Sequence, residues 1–137
     1  MAQLSTYLFF DGNCEEAMRF YAEALGGTVN MMMKHDELPP GETVPPGSEN
    51  KVMHANITIP GGVLMASDAV MGDYQKMQGF YVALNFDTVE ETQRAYTALT
   101  PGATIGMPLG KTFWSAAFSM FTDRFGTRWM VGCTQPG

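Results

Sequence analysis

Histidine is scarce in this chain, and one of its two copies stands where a side chain could work on a ligand. Within residues 51–68, KVMHANITIPGGVLMASD, the apolar Met53, Ala55 and Ile57 alternate with His54, Asn56 and Thr58. A period of two with one apolar and one polar set predicts a strand with a core on one face and something polar on the other. His54 has two readings there. An imidazole changes charge near neutral pH, so it can act as an acid, a base or a hydrogen-bond donor to a ligand. A structural histidine, satisfied by a neighbouring carbonyl or by Asp68, explains the same residue. His35 opens a proline-rich stretch and reads as a solvated loop residue.

Other polar side chains interrupt apolar strands. Thr6, Ser67 and Tyr81 carry hydroxyls whose burial is costly unless they are paired. They face a wet or ligand-filled cavity, or they pair with one another across strands. Tyr7 competes with Thr6 for the inward position if the alternation of the first strand is offset. Lys111, Phe113 and Trp114 offer an ammonium with two aromatics, a grip for an anionic, partly planar ligand. A solvated lysine beside two core aromatics is the alternative. Met53, Met65 and Met130 are core residues by default. In a cavity, Met65 and Met130 give a soft apolar floor. Asp68 has no second carboxylate placed to form an acid/base dyad. Cys14 falls in the first turn of a helix, where a thiol gains thiolate character, but neither Cys14 nor Cys133 has a histidine nearby in sequence.

The elements that hold these groups repeat. Residues 4–10 are β-rich and end in Asp11-Gly12-Asn13, with Asn13 as a helix N-cap. Ala17, Phe20, Tyr21, Ala24 and Leu25 form an apolar stripe, with Glu15 and Glu16 in the first turn. Gly26-Gly27 closes the helix. A strand at 28–33 leads into HDELPPGETVPPGSEN, whose prolines exclude regular structure. A loop of that length is a surface excursion, a lid or a dimer arm. Pro60-Gly61-Gly62 turns a hairpin. After a connector at 69–78 the pattern recurs: a strand at 79–86, a helix capped by Asp87-Thr88 and ended by Pro101-Gly102, a short strand at 103–107, and a hairpin from 113–122 and 127–133. Phe20-Tyr21 and Ala95-Tyr96 occupy matching places in the two halves. The order is strand–helix–three strands, twice, an α+β arrangement of tandem βαβββ modules at about 1–70 and 78–137.

Bulk properties set the outer limits. The chain has 137 residues, 45% apolar and 16% charged, one domain's worth of globular sequence. A formal charge of −6 without a basic cluster argues against nucleic acid and anionic membrane surfaces as partners. No apolar run is long enough to span a bilayer, and the first residues lack a basic segment with a cleavage site. Two cysteines without a CxxC pattern fit free thiols in a reducing cytoplasm.

With this order in place, four runs resemble the PhnB-like branch of the vicinal oxygen chelate superfamily, which includes glyoxalase I, bleomycin-resistance proteins and extradiol dioxygenases. They are DGNCEEAMRFY at 11–21, KVMHANI at 51–57, LMASD at 64–68, and PLGKTFWSAAFSMFTDRFGTRWMV at 108–131. The resemblance implies curved mixed sheets around a pocket, helices outside, and a homodimer. In its metal-dependent members four ligands come from the first and last strands of the modules. Laid on this chain those positions are Thr6, Met65, Tyr81 and Met130. These do not supply the imidazole or carboxylate donors that a divalent ion needs there, so no metal and no cofactor is expected. The branch also carries a demethylubiquinone methyltransferase label, but no glycine-rich turn follows a strand to cradle S-adenosylmethionine.

The expectation is a metal-free binder of a small, partly hydrophobic molecule, its pocket formed by Thr6, His54, Asn56, Met65, Ser67, Tyr81, Lys111, Trp114 and Met130. The alternative is an enzyme of glyoxalase- or dioxygenase-related type with His54 as acid/base.

Overall fold

The computed structural model describes residues 1–137. The chain divides into two compact units, Met1–Gln75 and Lys76–Gly137, and each repeats one plan. In the first, β1 (Thr6–Phe10), α1 (Cys14–Ala24), β2 (Thr28–Lys34), β3 (Val52–Ile59) and β4 (Gly62–Asp68) build a sheet in the order β1-β4-β3-β2. In the second, β5 (Val82–Phe86), α2 (Val89–Leu99), β6 (Thr104–Gly110), β7 (Phe118–Thr122) and β8 (Arg128–Cys133) give β5-β8-β7-β6. The β1/β4 and β5/β8 pairs are parallel and the others antiparallel. The doubled α+β order expected from the sequence is therefore the order found.

Register decides which side chains meet the helix. Leu8 and Phe10 pair with Ala66 and Asp68, and with Ala55, Ile57 and Leu64 they form the buried side beneath α1. Cys14, Ala17, Met18, Tyr21 and Ala22 of α1 close that core. In the second unit Val82, Val131, Trp129 and Phe121 play the same part, with Thr92, Ala95 and Leu99 of α2. Pro60-Gly61 is a two-residue turn, with Ile59 paired to Gly62 and Gly61 at φ 96°. A glycine there accepts a positive φ without a Cβ penalty.

Helix termini differ between the units. The carboxyl end of α1 is a Schellman closure: Gly26 N–H donates to Glu23 O and Gly27 N–H to Ala22 O. Asn13 does precede α1, but its side chain makes no cap bond. Instead Asp68 Oδ1, from the end of β4, accepts from Cys14 N–H at 2.9 Å. At α2 the cap is local: Thr88 Oγ1 accepts from Glu91 N–H at 3.1 Å and donates to Glu91 Oε1 at 2.9 Å.

Three element bounds differ from the sequence reading. β5 begins at Val82 rather than 79, because Gly79 takes φ 82° and turns the chain. β7 begins at Phe118 rather than 113. Thr112 Oγ1 accepts from the N–H groups of Trp114 and Ser115, and Ser115 Oγ donates to the carbonyls of Ala117 and Cys133, so 112–117 is a pinned turn. β6 runs on to Gly110, past the expected 107. The proline-rich stretch opens with a 3-10 turn, His35–Glu37, and its ends are tied by His35 N–H to Lys51 O and Asp36 N–H to Glu49 O. No helix is long and apolar enough to cross a membrane.

Candidate functional site

In the first unit the sheet face opposite α1 gathers chemistry. Alternation puts Tyr7 and Phe9 of β1, His54, Asn56 and Thr58 of β3, and Met65 and Ser67 of β4 on this side. Tyr7 Oη lies 3.1 Å from His54 Nδ1, and their rings are 5.6 Å apart. Tyr7 is directly opposite Met65, and Phe9 opposite Ser67. On the other side of β3, Met33 stands opposite His54 and Met31 opposite Asn56. A bulge between Val29 and Met31 frees Asn30, whose Nδ2 donates to Asn56 Oδ1 at 2.9 Å and Thr58 Oγ1 at 2.7 Å. The result is a Tyr–His pair and an amide–hydroxyl cluster among thioethers and Phe9, with no carboxylate, lysine or arginine among these residues.

Three readings of the first unit are corrected by the structure. Thr6 shares the helix-facing side with Leu8 and Phe10, so Tyr7 takes the open position. Asp68 does not satisfy His54. Its carboxylate lies on the helix side, bound by Cys14 N–H and Val52 N–H, both at 2.9 Å. Thiolate character at Cys14 is also overturned. Burial, then the charges of Asp68 and Glu15, push its thiol far above the ordinary value of 9.0, because each disfavours a second negative charge. Cys133 is likewise buried and free.

The second unit presents another open face. Tyr81, just before β5, accepts a hydrogen bond at its Oη from Arg128 Nη2 at 2.7 Å, and the guanidinium carbon lies 4.2 Å from its ring centroid. Met130 is opposite Met120 on this side, and Phe118 is opposite Gly132. Lys111 is exposed in the turn after β6. Phe113 and Trp114 are not core residues: they are 90% and 49% exposed. Trp114 stands edge-on between Phe113 and Phe118, at 4.8 and 5.3 Å.

Asn30 and Arg128 were not picked out from the sequence. The arginine was legible in principle, since TRWMVGC alternates and places it with Met130; Asn30 depends on a bulge that no local pattern announces. Among the four positions where the metal-dependent relatives place ligands, Thr6 faces the helix and Tyr81 is engaged by Arg128. No group of three or more His, Cys, Asp or Glu side chains is placed to hold a metal ion. This donor set does not fit a hard divalent ion.

Two modules of this topology, each with a helix on one sheet face and ligand-capable side chains on the other, define a paired-βαβββ protein of the vicinal oxygen chelate type. The Glyoxalase/Bleomycin resistance protein/Dioxygenase superfamily model matches residues 3–131, and the chain belongs to that superfamily. It is 34% identical over 136 residues to Protein YjdN of Escherichia coli K12, covering 93% of this chain and 92% of the relative. Protein PA1353 from Pseudomonas aeruginosa is a structural match at 42% identity and TM-score 0.90, covering 98% of this chain and 99% of that one. A PhnB protein from Bacillus cereus, whose name proposes a 3-demethylubiquinone-9 3-methyltransferase, matches at 28% identity and TM-score 0.78, over 96% and 99% of the two chains.

Proposed function

We propose that this PhnB-like chain binds a small, partly hydrophobic, uncharged molecule on the open face of its first module. One observation carries the reading: the Tyr7–His54 pair, 3.1 Å apart, is set among thioethers and Phe9 rather than among charges. Apolar walls with a few placed polar groups are what small-molecule sites are made of. Phe9 and Met31 remain 52% and 44% exposed, area that a flat guest would cover. We also infer a homodimer in a reducing cytoplasm. Open sheet faces and edge strands need covering, and the two buried thiols are free.

The Tyr7–His54 hydrogen bond favours one alternative, acid/base catalysis. When Tyr7 Oη accepts from Nδ1–H, Nε2 presents its lone pair and can take a proton from a bound substrate as a general base. A methyltransferase reading gains nothing from the fold: the only parallel pairs are β1/β4 and β5/β8, not a doubly wound sheet with a nucleotide-binding turn.

Titration with 1-naphthol, a neutral aromatic with one hydroxyl, tests the binding reading. His54→Ala is expected to weaken it about tenfold, a change of about 1.4 kcal/mol. Undiminished affinity in His54→Ala, or no binding to the wild type, defeats the assignment. Native mass spectrometry of the untagged protein gives the oligomer and any retained compound; a monomeric mass removes the dimer.

A further inference from the structure

We propose a binding site on the open face of the second module that takes an amphipathic anion: an acid head on Arg128 and an apolar body along β7 and β8. It does not use His54 and does not depend on the reading above.

The charge is the first argument. Arg128 is half-buried and makes no ion pair. A guanidinium has five N–H donors in a planar fork. Tyr81 Oη accepts from one of them at 2.7 Å, and the guanidinium carbon lies over the Tyr81 ring, 4.2 Å from its centroid. The remaining donors are thus held in a fixed orientation by a neutral partner. A structural arginine is ordinarily neutralised by a carboxylate in fork-to-fork geometry; here that place is open, and no acidic residue shares the face.

The shape is the second argument. From Arg128 the face continues with Met130 opposite Met120, then Gly132 opposite Phe118. Gly132 has no side chain, and the Phe118 ring sits where one would go: a Cβ on Gly132 would lie 3.1 Å from Phe118 Cδ1. Beyond it Trp114 stands edge-on, 49% exposed. Four residues of strand at about 3.3 Å each give a track of about 13 Å, cationic at one end, soft and thioether-lined in the middle, aromatic at the other. A carboxylate with an apolar chain of about ten carbons matches it in length and polarity. A small inorganic anion would use only the head.

Decanoate and decanol, of equal chain length, separate charge from hydrophobicity, and Trp114 supplies the fluorescence signal, because Trp129 is fully buried. Decanoate is expected to shift the emission and to bind at least tenfold more tightly than decanol. Arg128→Gln should remove that preference while leaving 1-naphthol binding intact. Arg128→Lys should restore it only in part, since an ammonium lacks the planar fork. Trp114→Phe should abolish the signal but not binding followed by calorimetry. Equal affinity for decanol, unchanged decanoate binding in a folded Arg128→Gln variant, or no response to decanoate in the wild type each overturns the site.

Discussion

Asp68 is the residue whose loss should be felt most, because one buried carboxylate holds two chain segments that are far apart in sequence. Its side chain is 4% exposed; Oδ1 takes the Cys14 amide at the start of α1 and Oδ2 the Val52 amide at the start of β3. Hydrogen bonds to a charged group contribute about 1.5–3 kcal/mol each, and a buried donor left unpaired costs a comparable amount. The N-terminus of α1 adds a favourable dipole for the anion. Asp68→Ala removes both acceptors and should cost about 3–5 kcal/mol, a large part of the roughly 5–15 kcal/mol that holds a domain. Asp68→Asn keeps one acceptor but turns an NH₂ toward the other amide, so about half that loss is expected. Urea denaturation followed by circular dichroism reads the global change. Hydrogen exchange reads the local one, with faster exchange at the Cys14 and Val52 amides. An Asp68→Ala protein within about 0.5 kcal/mol of wild type, with both amides still protected, would show that the carboxylate is not the anchor and refute the accounting.

Two further outcomes follow from the same region. Cys14 has its thiol pKa raised by burial and by Asp68 and Glu15, so the unfolded chain loses this proton first as pH rises. Above the ordinary value of 9.0 the unfolded state binds one proton fewer than the folded state. Stability should then fall by about 1.4 kcal/mol per pH unit. Comparing urea midpoints at pH 8 and pH 10 checks this, and Cys14→Ala should flatten the alkaline slope. For the two helix caps, Thr88→Ala should cost about 1 kcal/mol while Asn13→Ala should cost less than about 0.5 kcal/mol; equal losses in thermal melts would contradict the cap assignments.

Much of the scaffold was legible because it is written in local periodicities. The strand–helix–three-strand order, the Gly26-Gly27 closure and the Pro60-Gly61 turn each follow from a few adjacent residues. What stayed hidden is what depends on residues distant in sequence. Asn13 has the right identity for a cap, yet Asp68 arrives from 54 positions away and takes the amide. Thr6 and Tyr7 are both plausible inward residues from TYLFF alone. Only the pairing of Thr6 with buried Leu64 and of Tyr7 with Met65 decides between them. Phe113 and Trp114 look like a strand entering a core, and the hydroxyls of Thr112 and Ser115 turn the chain instead.

Comparing the two modules position by position separates what the fold requires from what it leaves free. The registers align Thr6↔Leu64 with Val82↔Trp129, and from there residue for residue. On the helix side the equivalents keep their character: Leu8 with Leu84, Phe10 with Phe86, Ala66 with Val131. These must exclude water beneath a helix, and any polar substitution would be penalised there. On the open side Met65 matches Met130, Thr58 matches Thr122 and Met31 matches Met107, but the paired polar groups do not match. Tyr7 has Ala83 as its equivalent, His54 has Phe118, and Arg128 has Val63, so neither the Tyr7–His54 pair nor the Arg128–Tyr81 pair is repeated. A sheet needs none of these four side chains to form, since the other copy of the same topology does without their counterparts. The exchange of Asp68 for Cys133 shows the contrary case: where α2 has its own Thr88–Glu91 cap, the distant carboxylate is dispensable and a thiol stands in its place. Differences on the helix side thus trade one structural solution for another, whereas those on the open side put a Tyr–His pair on one module and an arginine on the other. That asymmetry is what selection for two distinct ligand chemistries on one duplicated frame would leave behind.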